Sequence, residues 1–295
     1  MRIIDGSVII VADSLNVATN NRITTFQISF PKCLLAELNT HRALSRNAGS
    51  SRAKPSKRMR KSIREKSFTP ISWDANQPGM QGSKSLIGWK LHVARFSYYL
   101  HKQASLFCNW LASDIACLHK QYSNRLLETH AYVDVVVTAT EWNNFFRLRC
   151  DKDAQPEFRE IALRMQKLYN LNEPKNLEPG QWHLPYVQIN SGDIPIETLI
   201  KYSVARCARV SYTSFDETKV NHEKDLDLFY KLVESQPIHS SPTEHQAVAI
   251  DDSSRYGNIV GFKQYRKFLI NESGGDYVYD EKFRKTKTGN DNIEV

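Results

Sequence analysis

The 295-residue chain has five cysteines, Cys33, Cys108, Cys117, Cys150 and Cys207, and none of them stands in a CxxC pair. That absence argues against a zinc site and a dithiol redox motif, and it fits reduced thiols in a cytoplasm. No apolar run is long enough to span a bilayer, so no membrane helix is expected. The opening "MRIIDGSVIIVADSLN" carries Asp5 and Asp13 and lacks the layout of a secretory leader, so a cytoplasmic location is expected. The glycine-rich loops that hold nucleotide phosphates are missing too: there is no GxGxxG and no GxxxxGK[ST], and "GMQGSK" at Gly79 has the wrong spacing. A dinucleotide, if bound, is not held by a Rossmann turn. Finally, the stretch "THRALSRNAGSSRA", Thr40 to Ala53, contains no acid.

What that stretch does contain is His41, the arginines Arg42, Arg46 and Arg52, the hydroxyls of Thr40, Ser45, Ser50 and Ser51, and the amide of Asn47. A solvated loop mixes its charges, and a buried helix does not carry so many donors. The stretch is built to hold an anion. The net charge of +8 agrees, pointing to a nucleotide, a nucleic acid or a phosphorylated cofactor.

Hydrophobic periodicity places the elements. "ITTFQISF" alternates, with Phe26, Ile28 and Phe30 on one face, and reads as a half-buried strand closed by Pro31. Leu34 and Leu38 fall four apart, with His41 one turn on, so the donor-rich stretch leaves the end of a helix and enters a loop containing Gly49. From Leu86 to Glu128 the pattern is helical, with Trp89, Phe96, Leu100, Phe107 and Leu111 among the apolar positions. "VDVVVTAT" reads as a short buried strand or turn. "DKDAQPEFREIALRMQKLY" reads as a helix with Asp153 at its N-cap, Pro156 in its first turn and a stripe of Phe158, Ile161, Met165 and Leu168. "KDLDLFYKLV" is a further amphipathic helix, and "NLNEPKNLEPGQWHLPYV" reads as a connector. Helices outnumber strands without regular alternation, so the class is α+β.

Four segments carry chemistry: Glu37 to Arg52, Asn143 to Glu157, "CARVSY" at Cys207 to Tyr212, and "HSSPTEH" at His239 to His245. Each has a bland reading. The basic run after Arg52 is most simply a solvated helix face, since it lacks the interleaved aromatics of a nucleic-acid track. His239 and His245 are six apart, which puts them on different helix faces and argues against metal ligation. Arg147 and Arg149 could both be surface charges, or one could point inward. The serines beside Pro242 could be a turn or helix cap.

Together the segments resemble the flavin-dependent thymidylate synthase family. "THRALSRNAGSSR" is similar to its RHRxxSxNExSxR signature, and "NNFFRLRCDKDAQPEFREI" to its NxxxFxxLRxxxxAQxEIR block. "CARVSY" and "HSSPTEH" are similar to its ARVSY and HxSPFEH blocks. In the family's common short form the last two blocks come first. Here they follow, so the order looks circularly permuted, as in longer phage-type relatives; this is feasible when the usual termini lie close together.

The resemblance implies one helix-rich domain over about residues 1–285 with a small, mostly antiparallel sheet, a connector at about 171–198 and a disordered tail at 286–295. It implies dTMP synthesis from dUMP, with FAD, methylene-tetrahydrofolate as one-carbon donor and NADPH as reductant, in a homotetramer with shared sites that requires no nucleic acid. A phage-encoded protein of this kind would work in the host cytoplasm. His41, Arg42, Asn47, Asn144, Ser211, Ser241 and Glu244 match positions around FAD, and His239 one beside the flavin ring and folate. Glu37, Ser50, Ser51, Arg52, Arg125 and Arg149 match positions around dUMP. Arg125 would take the 5′-phosphate and Arg149 would polarise the uracil. Arg149, Ser50 and His239 are the implied catalytic set. No cysteine nucleophile is implied, and only Cys150 lies near a motif arginine.

Three positions depart from the pattern. Thr40 replaces the first arginine, Ala48 replaces the glutamate, and Glu37 replaces a glutamine. These leave room for another 5-substituted product such as 5-hydroxymethyl-dUMP. A basic nucleic-acid-binding protein is the alternative of a different class.

Overall fold

The computed structural model describes residues 8–188, 194–210, 221–235 and 238–269. In chain order its first half holds β1 (Val8–Asn16), β2 (Arg22–Pro31), α1 (Leu35–Asn39), β3 (Ser45–Ala48), α2 (Ser56–Glu65), α3 (Gly88–Trp110), α4 (Lys120–Ser123), β4 (Tyr132–Ala139) and α5 (Asn143–Arg149). Then follow α6 (Pro156–Leu171), β5 (Lys175–Leu177), β6 (Trp182–His183), α7 (Ile196–Arg209), α8 (His222–Phe229), β7 (Ala247–Ala249), β8 (Arg255–Tyr256), β9 (Ile259–Val260) and β10 (Phe262–Gln264).

The main sheet has the order β3-β4-β2-β1-β5. Its pairings are antiparallel except β1 with β5, as the α+β expectation required. Phe26, Ile28 and Phe30 of β2 and Val133, Val135 and Val137 of β4 put one sheet face against α5 and α6. There Trp142, Phe145, Phe158, Ile161 and Met165 complete the largest core cluster. Trp142 meets Phe26 edge-on at 5.1 Å between ring centroids, and Phe158 meets Phe30 at 4.9 Å, the offset geometry that aromatic quadrupoles favour.

The reading of β2 as half-buried is corrected. Residues 23–31 are all buried, because the opposite, polar face is also covered. Thr25 Oγ1 lies 2.9 Å from His183 Nε2, and Tyr186 donates its hydroxyl to Gln27 at 2.6 Å. The segment read as a connector supplies that cover. It also contributes β5, parallel to β1, and β6, which pairs with β7 in the sheet β10-β7-β6.

Two further details differ from the sequence reading. Helix α6 starts at Pro156 with Gln155 at the cap, and the Asp153 backbone N–H instead donates to Asp151 in the preceding turn. The expected helix at Lys224–Val233 begins earlier, at His222, where Asn221 caps it through the Lys224 N–H at 2.9 Å.

The helical Leu86–Glu128 region is divided into α3, α4 and short helical turns. On α3, Trp89, Val93, Phe96, Leu100 and Phe107 are 71, 52, 62, 55 and 56 % exposed. Only Ser105, Leu106 and Asn109 of this helix are buried. No described helix is long and apolar enough to cross a membrane.

Candidate functional site

The donor-rich stretch begins where α1 runs out. Thr40, in the place of an arginine, closes that helix by donating its hydroxyl to the Glu37 carbonyl at 2.7 Å. The turn that follows buries His41 against Phe145 and Phe158, with ring centroids at 5.0 and 6.2 Å. Arg149, at the end of α5, reaches the same place. Its Nε donates to His41 Nε2 at 2.8 Å, and its NH2 donates to the Glu37 carbonyl at 3.3 Å. The guanidinium lies over the Phe158 ring, 4.4 Å from the centroid. Of the two α5 arginines, Arg149 therefore points inward while Arg147 is exposed.

This geometry sets a protonation state. A guanidinium only donates, so His41 Nε2 must accept, and the imidazole is neutral with its proton on Nδ1. Burial, then Arg149 and Arg46, push the His41 pKa down to about 4. His41 thus offers a ligand an N–H dipole rather than a charge. Arg46, which the motif leaves unassigned, donates to the His41 carbonyl and holds the turn from below. Glu37 Oε2 is buried without a hydrogen-bond partner, and the carboxylate's charge acts on Arg149. Arg42 and Arg52 are exposed, and their guanidinium groups have no partner among the described residues.

Strand β3 carries the stretch onward along β4. Asn47 is buried; its amide donates to the Cys207 carbonyl at 2.8 Å and accepts from Ser241 at 3.5 Å. The "CARVSY" and "HSSPTEH" blocks therefore meet the first motif at Asn47. Glu244 pairs with Arg266, and its charge also reaches Arg46. His239 and Ser241 are exposed at the rim. Ser211 lies outside the described residues. Asn144 stands apart: it lines a separate polar cavity of about 560 Å³ with Asn20, Asn21 and Arg22.

At the far end of the stretch a second group forms. Ser51 donates to Glu128 at 2.6 Å, and Arg125 donates to the same carboxylate oxygen at 2.8 Å. Ser50 accepts from the Arg52 backbone N–H at 3.3 Å. Gly49, Ser50 and Ser51 line a small cavity with Lys32, Lys54 and Glu128; neither His41 nor Arg149 reaches it. Sequence reasoning missed Arg46, Lys32 and Glu128. Arg46 stood inside a quoted motif, but its charge, like that of Glu128, acquires a partner only through folding. Lys32 carried no signal at all.

Burial raises the pKa of Cys33 to about 11 and also raises those of Cys150 and Cys207, the reverse of what a nucleophile requires.

Beneath the site a buried hydrogen-bonded chain ties the two sheets together. Ser14 meets His183 Nδ1 at 2.9 Å, His183 Nε2 meets Thr25, Thr25 meets Thr138 at 2.7 Å, and Thr138 meets His245 Nδ1 at 2.8 Å. His245 closes the "HSSPTEH" block, so the chain fixes that block to β2 and β4. Burial lowers the His183 pKa to about 4 and that of His245 to about 3. Below the ordinary histidine value, near 6.5, the unfolded chain binds the protons that these rings refuse, so stability falls as pH drops from 6.5 toward 4. Urea unfolding at fixed protein concentration is expected to show roughly 1–2 kcal/mol lost per histidine between pH 7.5 and pH 5. Equal stability at the two pH values would mean the rings are charged or exposed.

The site is thus an inward arginine locked to a neutral histidine, with the guanidinium groups of Arg42 and Arg52 exposed along the same stretch. The family model for thymidylate synthase complementing proteins matches residues 21–175, just over half of the chain. The chain belongs to this family, the flavin-dependent thymidylate synthases. The matched span holds His41 to Arg52, Arg125 and Arg149, and stops before the blocks at Cys207 and His239. No curated protein sequence matches the chain. Among solved structures, the UMP/dUMP methylase PolB from Streptomyces cacaoi bound with 5-Br UMP is similar, with a TM-score of 0.46 and 15% identity, covering 57% of this chain and 89% of that one. The same methylase bound with 5-Br dUMP gives a TM-score of 0.44 and 13% identity, covering 57% and 91%.

Proposed function

We propose that the protein is an FAD-dependent methyltransferase that makes dTMP from dUMP, with methylene-tetrahydrofolate as one-carbon donor and NADPH as reductant. The observation that carries this reading is the Arg149–His41 pair, set by the Glu37 carbonyl at the start of the acid-free stretch Thr40 to Ala53. The donor set fits a flavin. Arg42 is an unpaired cation among the described residues, His41 presents an Nδ1–H, and Asn47 and Ser241 form a polar rim. FAD when bound supplies the hydride. The chain's own residues bind, orient and exclude water. Arg149 has spent its Nε on His41, so its remaining donors hold a uracil oxygen in a fixed direction. A fixed guanidinium there draws charge toward the carbonyl as C5 attacks the one-carbon unit, and it costs no reorganisation. Ser50, Ser51, Arg52 and Arg125 receive the phosphate end, where arginine suits a tetrahedral oxyanion.

The reading extends to assembly. The small cavity beside Ser51 is reached by neither His41 nor Arg149, and α3 carries a bare apolar seam. Positions 89, 93, 96, 100 and 107 keep heptad spacing, the pattern of a helix packed on another helix. We place a second copy of the chain on that seam, in a homotetramer with shared sites.

The purified protein is expected to be yellow, with the two visible absorption bands of an oxidised flavin, and to release FAD on denaturation. A colourless preparation that takes up no added FAD would remove the cofactor assignment.

A further inference from the structure

Lys32 is the first residue past β2. Its backbone N–H is pinned to the Ala131 carbonyl at 2.9 Å, and its side chain runs under the donor-rich loop to the Gly49 carbonyl at 3.2 Å. Its only hydrogen-bond acceptor among the described residues is that neutral oxygen. Every charged group facing this place can be named. Lys54 and Arg125 are cations, and Glu128 is the anion that acts on Lys32. Asp134 on β4 does not line the cavity, and its charge acts on Lys54 in the lining and on Lys66. Glu128 is already committed to Ser51 and Arg125 through one oxygen. The lining itself carries two ammonium groups, Lys32 and Lys54, against one carboxylate, Glu128, which is shared with Ser51 and Arg125. Burial accordingly pushes the Lys32 pKa down. The floor of the cavity has room for about one water-sized oxygen, about 20 Å³. Its walls are Gly49, Ser50 and Ser51.

We propose that Lys32 is a ligand of the substrate's 5′-phosphate, its ammonium turning from the Gly49 carbonyl to a phosphate oxygen seated on that floor. The inference rests on the reading of the chain as a dUMP enzyme, and it adds a residue that the motif resemblance does not assign. An ammonium supplies a point charge and three rotatable donors, so it can change partner without moving the backbone. Lys32 would then make the site discriminate a nucleotide from a nucleoside, while Arg149 reads the base.

The test is calorimetric titration of dUMP and of deoxyuridine into the flavin-loaded protein and its Lys32→Met and Lys32→Arg variants. Lys32→Met is expected to weaken dUMP at least about tenfold, the scale of one hydrogen bond to a charged group, and to leave deoxyuridine unchanged. Lys32→Arg is expected to retain most of the dUMP affinity. Equal dUMP affinity in Lys32→Met and the unmutated protein overturns the role of Lys32 and leaves the dUMP reading standing. An unmutated protein that binds neither compound overturns both. Should Lys32→Met fail to fold, pulse acylation of the unmutated protein, read by peptide mass spectrometry, decides the matter. Protection of Lys32 by dUMP but not by deoxyuridine supports the assignment, and equal labelling overturns it.

Discussion

Arg149→Ala is expected to lower kcat by at least about a hundredfold while FAD stays bound, a loss of about 3 kcal/mol and the scale of removing one oxyanion donor. The size follows from how completely Arg149 is committed. Its Nε holds the tautomer of His41, its NH2 shares the Glu37 carbonyl, and its plane rests on Phe158. Removing it takes away the group proposed to face the base and also frees His41 Nε2, so the imidazole pKa is expected to rise from its depressed value. Arg149→Lys is expected to recover little, because a single ammonium cannot fill two donor positions set by a planar fork. Arg147→Ala, two residues away on the exposed face of α5, is the internal control and is expected to behave as the unmutated enzyme. If Arg149→Ala turns over normally, the inward guanidinium is a structural prop and the assignment of the base-binding position fails.

The second large effect is expected on α3. Phe96→Glu combined with Leu100→Glu places two carboxylates in the middle of the exposed apolar seam. Each of these side chains touches solvent over more than half its surface in the single chain, so the fold of one chain loses little. Between two copies the same carboxylates would be buried unpaired, which costs several kcal/mol each. Light scattering is therefore expected to fall to the 34.0 kDa of one chain, with activity lost because the shared sites no longer close. An unmutated protein that is a fully active monomer contradicts the assembly. So does a double variant that keeps both its mass and its activity.

The parts legible in the sequence were those written in one element's own periodicity. Phe26, Ile28 and Phe30 announced β2, and Phe158, Ile161 and Met165 announced α6, because hydrophobic spacing follows from the geometry of one strand or helix. The opposite face of β2 was not legible. Thr25 and Gln27 look solvent-facing in sequence, and they are buried only because His183 and Tyr186 come back from more than 150 positions away. The β5 and β6 pairings failed to show for the same reason: strands of two or three residues carry no period of their own.

The candidate site divides along the same line. The residue types of His41, Asn47, Ser51 and Arg149 could be matched to motifs, and the structure brings His41 to Arg149 and Asn47 to Ser241. What the motif assignments left out was the supporting charge: Arg46 under the His41 turn, Glu128 between Ser51 and Arg125, and Lys32 under Gly49. These depend on which charges fold together, and only long-range packing decides that. Thr40 became intelligible in the same way. In the motif it is a missing arginine, whereas in the fold its hydroxyl ends α1 on the carbonyl that also receives Arg149.

Ala48 is the remaining departure, and it bears on the product. Where the family has a carboxylate, this chain has a methyl group on β3, opposite Val135 of β4. Glu37 supplies a carboxylate elsewhere, on the Arg149 side of the site, with one oxygen buried and unpaired. A site that keeps this centre dry favours hydride delivery to the one-carbon unit, and one that admits water favours its hydration. The decisive measurement is mass spectrometry of the nucleotide formed when the purified, flavin-loaded protein is given dUMP, methylene-tetrahydrofolate and NADPH. A product with the mass of dTMP is expected. A dominant product one oxygen heavier would show that water reaches the one-carbon unit, and no product would contradict the proposed function itself.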